Sequence, residues 1–118
     1  MSRLTFEPHR DEAMTRLALA GEFDLSNAAQ VEDALKQLED DRPDLLVLDL
    51  RELTFMDSTG LRVMVSADAR ARDEGRRLAV VQGPESVHRV FRITGLDDHL
   101  EIYETPEAAV IDGTGATS

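Results

Sequence analysis

The chain has 118 residues, enough for one domain with one real core, and its 13 basic and 24 acidic residues give a formal net charge of −11. That balance excludes phosphate-backbone binding as the main task and disfavours an anionic membrane surface, because both need a basic face. With no cysteine, no apolar run near the ~18 residues of a spanning helix and no signal-type start at Met1-Ser2-Arg3-Leu4, the expectation is a soluble, cytoplasmic, single-domain acidic protein without disulfides or thiolate metal sites.

Leu4-Thr5-Phe6 alternates apolar and polar, as a short edge strand does. Ala13 to Leu19 reads as a second strand, and Pro8 to Glu12 as the hairpin loop between them. Gly21-Glu22-Phe23-Asp24-Leu25 is expected to leave the sheet. Ser26 or Asn27 can cap the next helix by accepting an orphan backbone N–H. In that helix Ala28, Val31, Leu35 and Leu38 form one apolar stripe. Asp40-Asp41-Arg42-Pro43 ends it.

Leu45-Leu46-Val47-Leu48 is a continuous apolar run between Asp44 and Asp49, the pattern of a central strand buried on both faces. A helix from about Thr59 to Asp73 follows, with Leu61, Met64 and Val65 inward and Arg62, Arg70 and Arg72 outward. Gly75 suits its left-handed C-terminal turn. Leu78 to Val81 is another buried strand. Pro84 opens a third helix with Val87, Val90 and Phe91 inward, and Gly95 stops it. Leu100 to Tyr103 is a last short strand, and Thr105-Pro106-Glu107 starts a final helix ending near Asp112.

The order β-β-α-β-α-β-α-β-α predicts an α/β fold. Its sheet is mixed and four- to five-stranded, with helices mainly on one face. Residues 1–112 form the domain, and the small, polar residues 113–118 read as a flexible tail.

Asp57-Ser58-Thr59-Gly60 sets two hydroxyls between a buried strand and a helix N-terminus. Free N–H groups and the positive end of the helix dipole meet there, so the position can orient a phosphoryl group on Ser58. Gly60 permits a close approach of backbone or a bound group. A Ser or Thr in that place is most often only a cap. Asp24, taken alone, is a loop acid favourable to a helix dipole. His9, His88 and His99 are isolated in sequence and read as surface residues.

From about Leu4 to Val110 the chain resembles the STAS-domain anti-sigma-factor antagonists. The residues that carry the resemblance are Asp57-Ser58-Thr59-Gly60-Leu61 after an apolar strand ending in Asp49-Leu50. Gly21-Glu22-Phe23-Asp24 before the first helix and Ile93-Thr94-Gly95-Leu96 support it. The resemblance implies a regulator of transcription, of the partner-switching and stress-response type, and not an enzyme. It implies binding to a kinase-type, ATP-using anti-sigma factor, whose sigma factor is then released. It implies Ser58 as the phosphoacceptor, a serine phosphatase that restores it, and Asp24, Asp57, Thr59 and Gly60 as neighbours of the partner and phosphate site. No cofactor and no metal are implied, and for the oligomeric state a monomer and a weak homodimer both stand open.

Three other readings stand beside it. Pro43 to Leu50 resembles the central strand of a response-regulator receiver, with Asp49 as phosphoacceptor, yet Lys36 is the only lysine and precedes it. Ser58 at a strand-to-helix turn resembles the nucleophile of a small serine hydrolase, although Met56 replaces the first glycine of G-x-S-x-G and no histidine is placed as a base. A STAS scaffold module of a larger signalling complex is the third.

Overall fold

The computed structural model describes residues 3–113. The five strands are β1 (Leu4–Arg10), β2 (Thr15–Phe23), β3 (Leu45–Met56), β4 (Arg77–Val81) and β5 (Glu101–Tyr103). The helices are α1 (Ala28–Glu39), α2 (Ser58–Asp73), α3 (Glu85–Thr94) and α4 (Pro106–Gly113), with a single 3-10 turn at Leu96–Asp98. The sheet runs β1-β2-β3-β4-β5. The opening hairpin is antiparallel and the other pairings are parallel, so the sheet is mixed as the element order predicts.

Each helix from α1 to α3 returns the chain to the next strand in line, and all three pack on one face. There the α1 stripe (Ala28, Val31, Leu35, Leu38) meets Leu17, Leu19 and Phe23 of β2 and Leu46, Leu48 and Leu50 of β3, together with Met64 of α2 and Phe91 of α3. Helix α4 alone lies on the opposite face, where Ala109 closes over Leu45, Val47, Ala79 and Val81. Strand β3 is therefore buried on both sides from Leu45 to Leu50, which accounts for its unbroken apolar run.

Four boundaries differ from the sequence expectation. Strand β1 continues through Pro8 to Arg10, because an edge strand tolerates a residue without an N–H. The turn is instead made by Asp11, whose Oδ1 accepts from the backbone N–H groups of Ala13 (2.8 Å) and Met14 (2.9 Å). Strand β2 starts two residues late, at Thr15, and does not leave the sheet at Gly21 but runs to Phe23. Gly21 has φ +103°, and a Cβ there would stand 2.1 Å from the Arg3 carbonyl oxygen, so only glycine fits this irregular pairing.

Strand β3 likewise passes Asp49-Leu50 and ends at Met56. Its register slips against β2 twice, between Ala18 and Ala20 and between Gly21 and Glu22. These bulges break the period of two, so that Leu50, Leu53 and Met56 all reach the helical face.

Arg70, expected outside, is half-buried. It bonds Glu39 through Nε (2.7 Å) and Nη2 (2.8 Å) and Glu32 through Nη1 (2.7 Å), tying α2 to α1. The expected tail at 113–118 starts within α4 at Gly113 and otherwise lies outside the described residues.

Candidate functional site

Phe23 and Met56 are the last paired residues of the parallel strands β2 and β3. The residues that follow them, Asp24 and Asp57, therefore emerge side by side at the carboxyl end of the sheet, where open α/β sheets hold ligands. The Asp57 N–H donates to the Phe23 carbonyl at 3.2 Å and fixes that juxtaposition.

Asp57, not Ser58 or Thr59, caps α2. Its backbone is extended, and its Oδ1 accepts from the N–H groups of Thr59 (2.9 Å) and Gly60 (3.3 Å). Ser58 is thereby released from capping. It is the first residue of α2, it is exposed, and its hydroxyl makes no hydrogen bond to a described residue. Thr59 is half-buried beside it.

Gly60 lies beneath the site, not in it. It is buried, and a Cβ there would stand 2.9 Å from Met56 Cγ and 3.0 Å from Phe23 Cδ2. The close approach that requires glycine is thus helix to sheet. It seats the first turn of α2 and leaves Ser58 facing outward.

The loop carrying Asp24 is held by its own side chains. Asp24 Oδ1 accepts from the Ser26 N–H (3.0 Å) and from Ser26 Oγ (2.6 Å). Asn27 occupies the cap position of α1 but makes no side-chain cap bond. Its Oδ1 accepts from the Asp24 N–H (3.0 Å), and its Nδ2 donates to the Glu22 carbonyl (2.9 Å). The expected cap is instead a staple that sets the position of Asp24.

Asp24, Leu25, Ser26, Phe55 and Asp57 line an open recess of about 490 Å³. Leu25 is 75 % exposed and Phe55 48 %. Two large apolar side chains thus stand exposed beside two carboxylates and an unengaged hydroxyl. The sequence reading missed both apolar residues, because Leu25 sits in a turn and the bulges of β3 decide which way Phe55 faces. None of His9, His88 and His99 lines the recess, and His88 stacks on Phe91 with ring centroids 6.0 Å apart. Among the described residues no histidine hydrogen-bonds Ser58, the contact that the hydrolase reading needs.

Asp49, the other candidate acceptor, is only 4 % exposed and sits in mid-strand, not at the strand end expected for it. Arg51 grips it through Nε (3.0 Å) and Nη2 (2.8 Å), and Arg16 adds a third bond (2.9 Å). Burial alone would raise its pKa, but the bonds from Arg51 and Arg16 outweigh that and hold the carboxyl below its usual range. Its lone pairs are committed to arginines of the same chain, which leaves it a structural anion.

A family model described as "Mlab, STAS domain" matches residues 6–104. The anti-sigma-B factor antagonist of Listeria monocytogenes is 37 % identical over 93 residues, covering 79 % of this chain and 82 % of that protein. The anti-sigma-B factor antagonist of Bacillus subtilis is 32 % identical over 101 residues, covering 86 % of this chain and 92 % of that protein. Among solved structures, an anti-sigma factor antagonist from Mycobacterium paratuberculosis superposes with a TM-score of 0.85 at 26 % identity, covering 92 % of each chain.

Proposed function

The chain belongs to the STAS-domain family, and on that premise we propose that it is a cytoplasmic anti-sigma-factor antagonist switched by phosphorylation of Ser58. The observation that carries the reading is the division of labour at the start of α2. Asp57 takes the capping role and leaves the Ser58 hydroxyl exposed and unbonded. The protein acts by binding and not by turnover.

In the unmodified state Leu25 and Phe55 supply the apolar contact with a kinase-type anti-sigma factor, and Asp24 and Asp57 supply its acidic border. That contact displaces the sigma factor. The partner then transfers the γ-phosphoryl group of its ATP. A bond forms between Ser58 Oγ and phosphorus, the bond to the β-phosphate oxygen breaks, the hydroxyl proton leaves to a base of the kinase, and ADP departs. This chain contributes a hydroxyl held in reach on a fixed helix end. A serine phosphatase reverses the step by hydrolysis.

The phosphate adds about −1.5 to −2 charge at neutral pH. It arrives beside Asp57, whose carboxylate already occupies the N–H groups that could have received it. Like-charge repulsion and bulk inside a formed interface then weaken binding. A loss of about 3 kcal/mol lowers affinity by more than about a hundredfold, so no refolding is needed.

Binding to a kinase-type anti-sigma factor tests the reading. Ser58→Ala binds like the parent chain and takes no label from ATP, and Ser58→Asp binds poorly. Equal binding by Ser58→Asp and the parent would remove the electrostatic account.

A further inference from the structure

Between α1 and α2 runs a shallow groove of about 280 Å³ whose apolar lining is Ala28, Ala29 and Val63. Thr59, the neighbour of Ser58, also lines it, so the groove adjoins the surface that carries the hydroxyl. Two charged side chains stand on its rim, Glu32 and Arg62. Glu32 is neutralised, since Arg70 bonds it at 2.7 Å and Lys36 lies at 4.0 Å.

Arg62 is not neutralised. It is exposed, and it has neither a hydrogen bond nor an ion pair with any described residue. That is uncommon in a chain with 24 acids for 13 bases. Among the described residues, ten of the thirteen basic side chains are in ion pairs: Arg3, Arg10, Arg16, Lys36, Arg51, Arg70, Arg72, Arg76, Arg77 and Arg92. Arg62 is the unpaired cation that stands beside the site, and it lies four residues after Ser58. Residues at that spacing share one face of a helix and reach each other.

We propose that Arg62 exchanges partners as the switch is thrown. In the unmodified chain its guanidinium pairs with a carboxylate of the anti-sigma factor, from a segment that also lays an apolar side chain on Val63 and Ala29. Once Ser58 is phosphorylated, the phosphate draws the same guanidinium into a pair within α2, and the partner's carboxylate loses its cation. Phosphorylation thus adds repulsion and removes an attraction at once. A guanidinium suits both roles, because its planar fork matches carboxylate and phosphate alike. The inference rests on the Ser58 reading above and adds a residue to it.

Two measurements test it. The first uses the kinase-type anti-sigma factor that labels Ser58, with binding measured for the parent, Arg62→Gln and Arg62→Lys at low and high salt. Arg62→Gln weakens the unmodified complex by about three- to tenfold and flattens its salt dependence, and Arg62→Lys recovers part of the loss. The second needs no partner. Phosphoserine is introduced at position 58 during translation, and its phosphorus resonance is titrated by NMR. The phosphate's second pKa, ordinarily about 6, lies lower in the parent than in Arg62→Gln. Labelling of Ser58 with unchanged binding by Arg62→Gln, or identical phosphate titrations, would overturn the exchange and leave the Ser58 reading standing. Absence of any label on Ser58 would end both.

Discussion

Asp49 and Ser58 stand nine residues apart on one strand–helix unit, and their surroundings are opposite. Asp49 is buried in mid-strand with three side-chain bonds from two arginines. Ser58 is exposed at a helix start, with its capping work done by Asp57. A group whose hydrogen-bonding capacity is spent inside its own chain contributes to stability. A group left with its capacity unspent is free to meet another protein. The contrast separates the receiver reading, which needs an accessible Asp49, from the antagonist reading, which needs an accessible Ser58.

The two positions should therefore fail in opposite ways. The largest effect is expected from Ser58→Asp, which costs about 3 kcal/mol in binding the anti-sigma factor. Its melting temperature should stay within a degree or two of the parent, because an acid in the first turn suits the helix dipole. Titration calorimetry and thermal melts on one preparation would read both.

Asp49→Ala should do the reverse. Removing the anion leaves Arg16 and Arg51 unpaired at a largely buried site, at a cost of about 2–3 kcal/mol once the partial exposure of both arginines is allowed for. Denaturant unfolding reads that loss, and Ser58 labelling should proceed as before.

Truncating Leu25 or Phe55 to Ser should weaken partner binding by about 1–2 kcal/mol each; folding stability should stay nearly unchanged for Leu25, which is mostly in water, and fall by about 1 kcal/mol for the half-buried Phe55. A binding loss larger than any loss of stability would confine them to the contact surface. A shift in melting alone would return them to the core.

The smallest effect concerns pH. The folded pKa of Asp49 lies below its unfolded value, so its contribution is complete above the ordinary aspartate value of about 3.9 and fades as pH falls through the folded pKa. Asp49→Asn should lower stability at neutral pH and flatten the acid limb. Stability curves between about pH 2 and 7 would show it.

Much of this contrast was legible in the sequence, and the reason differs by region. Where one rule acts alone, pattern suffices. The stripe Ala28, Val31, Leu35 and Leu38 follows helical spacing, and all four residues are buried. The run Leu45 to Leu48 is apolar on both faces because helices cover both faces. The motif around Ser58 marked the right strand-to-helix turn.

Where two local rules compete, pattern misled. The bulges against β2 disrupt the alternation of Arg51 to Met56, so the pattern ends β3 early and makes Asp49 look like a strand end. The exposure of Phe55 hangs on the same bulges. Several side-chain acceptors compete near the site, and the sequence does not rank them. Asp57 wins the α2 cap, and Asn27 turns from α1 to fasten the Asp24 loop. Its charge points Arg70 to solvent, but Glu32 and Glu39 on a helix distant in sequence draw it inward.

The most direct test of the account is to incubate the chain with a kinase-type anti-sigma factor and ATP and to map the modified residue by mass spectrometry. The account predicts one phosphate, on Ser58, and none on Ser58→Ala. A phosphate on Asp49 or Thr59, or label retained by Ser58→Ala, would contradict it.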